Sequence, residues 1–433
     1  MSGELAALIA FVALFALMLL RVPIGIAMIV VGSTGFASII GLKPALSQLS
    51  TVPLRVATDE VFGVVPLFIL MGTFAAISGM SSELYKASNA WVGHRRGGLA
   101  MATILACGGF AAICGSSVAS AATLGRVALP EMLKFGYKRS LATGTIAAGG
   151  TLGILIPPSV VLAIYGIITE QDIAVLFMAG LIPGLLAVFM YLILIVGISR
   201  LDPEAAPAVG KFNFRTAIVS LRGIWAVSLL FVFVIGGIYF GIFTPTEAAA
   251  MGAGGTLILT WLRGTMNFSL MKSALIETTR LTGAIFVIAI GAVIFGYFLT
   301  ITRVPQELAS FAGSLDWPPL AVLIVIIIGY LFLGMFLDAL AIILLTVPIM
   351  YPVIIQLGYD PIWFGILLVM VVEIGLITPP YGMNVFVLKS VSDDTSLGTI
   401  YRGVVPFVAA DVVRVALIVA FPLLVLWLPK SMF

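Results

Sequence analysis

The stretch TLGILIPPSV occupies residues 151–160, and LITPPYGMNV occupies residues 376–385. Each sets two adjacent prolines inside a long apolar run. A proline inside a helix removes a hydrogen bond and collides with the preceding turn, at a cost of about 3 kcal/mol or more. Any fold for this chain has to accommodate two such interruptions, about half its length apart.

The remainder of the 433 residues is equally apolar: 61% hydrophobic, 9% charged, with a mean hydropathy of +1.22. A globular surface needs roughly a quarter of its residues charged, and apolar runs long enough to cross a bilayer recur here from end to end. The composition implies an all-α polytopic membrane protein. A β-barrel would instead alternate over segments of about ten residues. The N-terminus, MSGELAALIAFVALFALMLLR, lacks the basic start of a cleaved signal and carries Glu4, so it reads as a first spanning helix. The net charge of +3 is spread over loops, which speaks against nucleic acid as a partner.

Cys107 and Cys114 lie seven residues apart on one helix face and read as buried thiols. The one histidine, His94, sits beside Arg95 and Arg96 and leaves little for a metal centre. Walker A, HExxH and GxSxG motifs are absent, so ATP hydrolysis, zinc proteolysis and serine-type hydrolysis lack their parts. With no nucleophile–base pair either, the chain does not read as an enzyme.

Candidate spans fall near 4–20, 23–42, 61–80, 140–168, 173–199, 223–241, 247–262, 281–302, 363–388 and 404–428. Residues 43–60 are mixed in polarity and read as interfacial, and 200–222 form a polar linker near the middle. Lys and Arg cluster in alternate connections, whereas 169–172, 242–246 and 354–362 carry none. The positive-inside rule makes the basic side cytoplasmic and the N-terminus periplasmic, with Arg55 and Arg303 as exceptions on the outer side. Residues 99–133 are then flanked by cytoplasmic loops at both ends, yet are too short for two full crossings. They read as a re-entrant hairpin with its tip at Gly115, Ser116 and Ser117. Residues 318–353 read as a second hairpin, entering from outside, with its tip near Gly334 to Asp338.

A shift of 222 positions lays Pro130 on Pro352, Gly153 on Gly375, and Pro157 and Pro158 on Pro379 and Pro380; one further residue lays Gly180 on Gly403 and Pro183 on Pro406. Glycine and proline dictate backbone path, so the matches imply an inverted-topology repeat of one hairpin and one Pro-Pro-broken helix in each copy. The expected units are 1–60 and 200–280 as scaffold, with repeats at 61–199 (hairpin 99–133, broken helix 140–168) and 281–428 (hairpin 318–353, broken helix 363–388). Inverted repeats with broken helices mark secondary transporters, whose sites lie at the midplane between copies. This answers the question the prolines raise: irregular backbone is tolerated at membrane depth where a cavity or ligand satisfies it. The carbonyls freed by each break suit a cation, and the half-helix N-termini beyond suit an anion.

The segments ICGSSVASAATLGRVALPEM (113–132), GTLGILIPPS (150–159), GIFTPTEAAA (241–250), LGMFLDALAIILLTVPI (333–349) and GLITPPYGMN (375–384) resemble the large membrane subunit of tripartite ATP-independent periplasmic (TRAP) transporters over nearly the whole chain. The resemblance implies a bacterial inner-membrane protein with an elevator-type fold like that of the ion transporter superfamily. It also implies Na+-driven uptake of a small organic anion, a small membrane subunit and a periplasmic substrate-binding protein. A stand-alone carrier and an ion channel remain the alternatives.

Two cation sites are expected. Ser116 and Ser117 with backbone at Gly150, Gly153 and Ile156 form the first; Gly334, Asp338, Gly375 and Thr378 form the second. Ser116 and Asp338 read equally as N-caps of returning half-helices. The first copy offers only hydroxyls, which favours sodium over a proton. Ser120, Thr123, Arg126, Tyr381 and Asn384 are candidate substrate contacts, against small-residue packing for Ser120, snorkelling for Arg126 and interhelical hydrogen bonding for Asn384. Glu373 reads as the partner of a nearby cation or as an outer ion group, and Glu247 as a first-turn capping charge.

Overall fold

A computed structural model describes residues 3–314, 316–392 and 394–432, and for Glu4 the backbone alone. The first two residues of the expected 1–60 unit, and two positions of the 281–428 unit, lie outside the described residues. Among the described residues the chain is helical with no strand. The first half comprises α1 (Gly3–Leu19), α2 (Ile24–Ile40), α3 (Leu42–Thr58), a 3₁₀ turn (Glu60–Gly63), α4 (Val64–Ile77), α5 (Met80–Val92), α6 (Gly98–Cys114), α7 (Ser117–Lys134), α8 (Arg139–Leu155), α9 (Val160–Thr169) and α10 (Ile173–Leu201). The second comprises α11 (Phe214–Tyr239), α12 (Pro245–Leu262), α13 (Phe268–Thr302), α14 (Val304–Ser314), α15 (Pro319–Gly334), α16 (Ala339–Gln356), α17 (Pro361–Gly375), α18 (Met383–Val391), α19 (Leu397–Ala420) and α20 (Leu423–Lys430).

The prolines act where the sequence puts them. Helix α8 stops at Leu155 before Pro157 and Pro158, and the chain restarts as α9 when the Ser159 hydroxyl accepts from the Leu162 amide at 3.2 Å. Helix α17 stops at Gly375 before Pro379 and Pro380, and α18 restarts behind Gly382, which has a φ of +57° and supplies no side-chain cap. The Gly382 amide donates instead to the Met335 carbonyl of the neighbouring hairpin at 3.1 Å.

Counterpart elements start at a nearly constant separation. Ser117 and Ala339 open α7 and α16, 222 residues apart; Arg139 and Pro361 open α8 and α17, again 222; Ile24 and Pro245 open α2 and α12, 221. The register thus reaches the N-terminal helices too. Packing follows it: α9 lies against α16, and α18, its counterpart, lies against α7. The second half of each broken helix therefore rests on the returning arm of the other copy's hairpin.

Among the described residues, seven helical stretches are long and apolar enough to cross a membrane, including 139–169, 173–201 and 268–302. Large apolar side chains stand exposed along α1 (Leu8, Val12), α10 (Phe189, Ile193) and α11 (Trp225, Leu229, Val232). Such surface suits lipid or another apolar chain.

Three features depart from the expected spans. Helix α13 has 35 residues, so it is about 52 Å long at helical rise. It begins at Phe268, not 281, and runs across the expected 280/281 division; Lys272 and Arg280 sit on its early turns instead of in a loop. Helices α5 and α14 occupy segments not expected to be helical, each burying one face, with Leu84 and Tyr85 inward on the former and Ala309 and Ala312 on the latter. The expected 404–428 span is two helices, α19 and α20, parted at Phe421–Pro422.

Candidate functional site

In each half the hairpin tip touches the helix break. Gly115, with φ +63°, ends α6, and Ser116 opens α7 by accepting from the Ala119 amide at 3.4 Å. A Cβ added to Gly153 would lie 2.6 Å from the Ser116 carbonyl oxygen and 2.8 Å from Ser120 Oγ. Only glycine lets the two backbones come this close. One added to Gly115 would meet the Pro158 carbonyl oxygen at 2.9 Å. The tip and the break thus meet at two buried points, the Ser116 and Ser120 oxygens at Gly153 and the Pro158 carbonyl oxygen at Gly115. Ser120 is fully buried, and its Oγ has the Cys114 thiol beside it and no other partner, an oxygen of the type that hard cations take.

The second half repeats the contact with different chemistry. A Cβ at Gly375 would lie 2.5 Å from Gly334 Cα and 3.0 Å from its carbonyl oxygen. Asp338 opens α16 by accepting from the Ala341 amide at 3.4 Å, and Thr378 donates to the Ile374 carbonyl at 2.6 Å. The N-cap reading of Ser116 and of Asp338 therefore describes geometry that is present. A cap occupies one lone pair and leaves others for a ligand.

The remaining candidates separate. Ser117 is buried next to the tip, Gly150 packs against Ala121, and Ile156 is buried at the end of α8 with its amide donating to the Leu152 carbonyl. Asn384 is fully buried, with its side-chain amide donating to the Ala147 carbonyl at 3.4 Å and its Oδ1 without a partner. Thr123 is half-buried and Arg126 is exposed, beyond Gly125, which faces Leu388 and Val391 of α18. Tyr381 is exposed and stacks on Phe386, with ring centroids 4.3 Å apart; its carbonyl accepts from the Tyr401 hydroxyl at 2.8 Å. Arg126 and Tyr381 are thus not gathered with the buried set.

A cavity of about 1010 Å³ is lined by Arg55, Asp59, Glu60 and Tyr297 and by residues of α9 and α16 with Glu170 and Asp172; none of the candidate ion-site residues lines it. Arg55 donates to the Tyr297 hydroxyl at 2.9 Å. The wall carries one guanidinium among four carboxylates.

Two features extend the sequence reading of Glu247 and Glu373. Thr244 and Glu247 form a reciprocal capping box at the start of α12, with Pro245 in its first turn. The Thr-x-x-Glu spacing carries that signal. Second, Glu373 lies 3.8 Å from Arg414, which lies 3.0 Å from Asp411, all three buried. Glu373 is thereby partnered by a cation, and no motif or spacing in the sequence marks Arg414 or Asp411. Among the described residues no cluster of three histidine, cysteine or acidic side chains is arranged for a metal.

An all-helical membrane protein whose two halves each join a capped hairpin tip to a proline-broken helix belongs to the class of secondary transporters. Residues 11–424 match the family described as "Tripartite ATP-independent periplasmic transporter, DctM component", and the chain belongs to that family. It is 39% identical over 368 residues to the C4-dicarboxylate TRAP transporter large permease protein DctM of Pseudomonas aeruginosa, covering 84% of this chain and 85% of that one. It is 34% identical over 367 residues to the sialic acid TRAP transporter large permease protein SiaM of Vibrio cholerae, covering 84% and 85%. The YdaH transporter of Alcanivorax borkumensis shares the fold, with a TM-score of 0.62 and 15% identity over 90% of each chain. The protein is thus a multi-pass integral membrane transporter subunit and not an enzyme.

Proposed function

We propose that this chain is the large subunit of a sodium-coupled importer of a small organic anion, in the C4-dicarboxylate to sialic-acid range named for its relatives. It works beside a small membrane subunit and receives substrate from a periplasmic binding protein. One sodium sits at Ser116, Ser117, Gly150, Gly153 and Ile156, with Ser120 Oγ added to that set. A second sits at Gly334, Asp338, Gly375 and Thr378. The single observation that carries the reading is the paired tip-to-break contact, Ser116 against Gly153 and Gly334 against Gly375. Two separate oxygen-rich contacts of one design favour two cations over one. Each freed carbonyl would cost several kcal/mol if left unsatisfied in hydrocarbon.

The proposed movement is elevator-like. Hairpins and broken helices travel as a body against a frame made of residues 1–60 and 200–280, which hold α1–α3, α11, α12 and the start of α13, and the inverted relation of the halves sets the two end states. The N-terminus is then periplasmic, and the cavity beside Arg55 is the outer vestibule between frame and moving body. Asn384 accepts from a substrate hydroxyl or N–H through its free Oδ1, or braces the helices, and Ser120, Thr123, Arg126 and Tyr381 line the route.

The test is uptake of candidate organic acids into proteoliposomes under an imposed sodium gradient, with and without binding protein. Ser116→Ala and Asp338→Ala should each raise the sodium needed for half-maximal uptake by about tenfold, the loss of roughly one ligand's 1.4 kcal/mol. Full sodium dependence in both variants would overturn the ion-site assignment. Undiminished uptake without binding protein would make this a stand-alone carrier, and non-saturating flux a channel.

A further inference from the structure

Helices α8, α10, α17 and α19 each pack against the other three. Where they meet, the Arg414 guanidinium lies 3.0 Å from Asp411 Oδ1 and 3.8 Å from Glu373 Oε2, and the Tyr191 hydroxyl donates to Asp411 Oδ2 at 2.7 Å. Thr151 stands beside the Tyr191 hydroxyl, and the Leu155 backbone beside the Glu373 carboxylate. All four polar members, Tyr191, Glu373, Asp411 and Arg414, are at most 1% exposed. Burying charges without full hydrogen bonding is expensive, and here the Arg414 nitrogens have no hydrogen-bond partner and, for hydrogen bonding, the Glu373 carboxylate has only the Leu155 backbone beside it. Such a network is poor as a source of stability. The best-attested use of buried ionic groups is to hold a register.

The register it would hold is specific. Thr151 and Glu373 are counterparts, 222 residues apart, and Tyr191 and Arg414 are counterparts at 223. The network is therefore built from paired positions where the two halves cross. Thr151 precedes Gly153 by two residues and Glu373 precedes Gly375 by two, and those glycines carry the two tip-to-break contacts.

We infer that Arg414, with Glu373, Asp411 and Tyr191, couples the two cation sites, so that filling one sets the backbone of the other. Arg414 is a positioning residue in this arrangement. A cation that orders the turn after Gly375 fixes Glu373 against Arg414. Through Asp411 and Tyr191 this constrains Thr151 and the turn after Gly153, and by reciprocity the first site acts on the second. The inference rests on the sodium reading above.

The test is the sodium dependence of uptake by the complete transporter in proteoliposomes at saturating substrate. The wild-type Hill coefficient should be near 2 and should fall toward about 1 in Arg414→Gln and in Glu373→Gln, as loss of coupling requires. The double variant should be no worse than the poorer single one, since both break the same link. A purely structural role would lower the amount of folded transporter and Vmax and leave the Hill coefficient alone. Tyr191→Phe removes one hydrogen bond with little change of volume and should give an intermediate coefficient, which keeps the test open if the charge variants do not assemble. A Hill coefficient near one in the wild type, or an unchanged one in folded variants, overturns the coupling. Sodium-independent uptake by the wild type would instead overturn the underlying transport reading, a different and separable result.

Discussion

The side-chain amide of Asn384 donates to the carbonyl of Ala147 at 3.4 Å, a buried hydrogen bond that runs from the second broken helix to the first. Losing such a bond costs about 0.5–1.5 kcal/mol. Asn384→Ala should lower the melting temperature in detergent and depress Vmax of uptake, with KM changed less than about twofold if bracing dominates. A large rise in KM alone would show that Asn384 holds substrate instead.

The crossing of α8 and α19 depends on absent side chains. A Cβ at Gly403 would lie 1.9 Å from the Ser140 carbonyl oxygen, and one at Gly144 would lie 2.2 Å from that of Gly403. Backbone cannot yield as a side-chain tip does. Gly403→Ala should therefore destabilise by roughly 1–3 kcal/mol or more, as overpacking does. Gly254→Ala, with nothing within 4 Å, should be tolerated. Thermal unfolding of the two variants side by side checks this.

At α12, Thr244→Ala removes one arm of the capping box and should cost about 1 kcal/mol. The effect should be local. Hydrogen exchange at the amides of residues 246–248 should speed up while α8 and α17 stay protected.

One pH effect follows from a loop. Lys138 hydrogen-bonds Asp202, and that contact holds the Asp202 carboxyl below the usual carboxylate range. A depressed folded value means that the contribution is present above the unfolded value, about 3.9, and is lost as pH falls through the folded one. Asp202 also accepts from the Ala205 amide at 3.2 Å, in the turn whose carbonyl receives the Lys138 amide. Protection of the Ala205 amide should be level from pH 8 to pH 5 and fail only in strong acid. Asp202→Asn should flatten that fall.

Much of this architecture was legible because proline and glycine obey steric rules that act one residue at a time. Pro157–Pro158 and Pro379–Pro380 announce breaks wherever the chain goes, and their offset exposes the second half as a copy of the first. The family motifs sit on those same turns. Arg414 was not legible. Its partner Glu373 is 41 residues away, and whether the two face each other depends on the rotation of α17 against α19, which periodicity does not set. Helices α5 and α14 escaped because they are short and mixed in polarity, and basic residues on the first turns of α13 imitated a loop. At the candidate site, hydroxyls and a carboxylate at the hairpin tips could be picked out, but the buried Ser120 oxygen emerged only from the close approach of Gly153.

The two proline turns, counterparts in sequence, differ in how they meet their surroundings. Residues 151–160 are buried throughout, whereas Pro379, Pro380 and Tyr381 are exposed. The pair of turns thus offers a built-in reporter of the difference between them. A thiol placed at 381 should be labelled readily by a water-soluble maleimide in this conformation while one at 159 is spared. If transport swaps the environments of the two turns, the order of labelling should reverse, giving a chemical readout of which way the carrier faces.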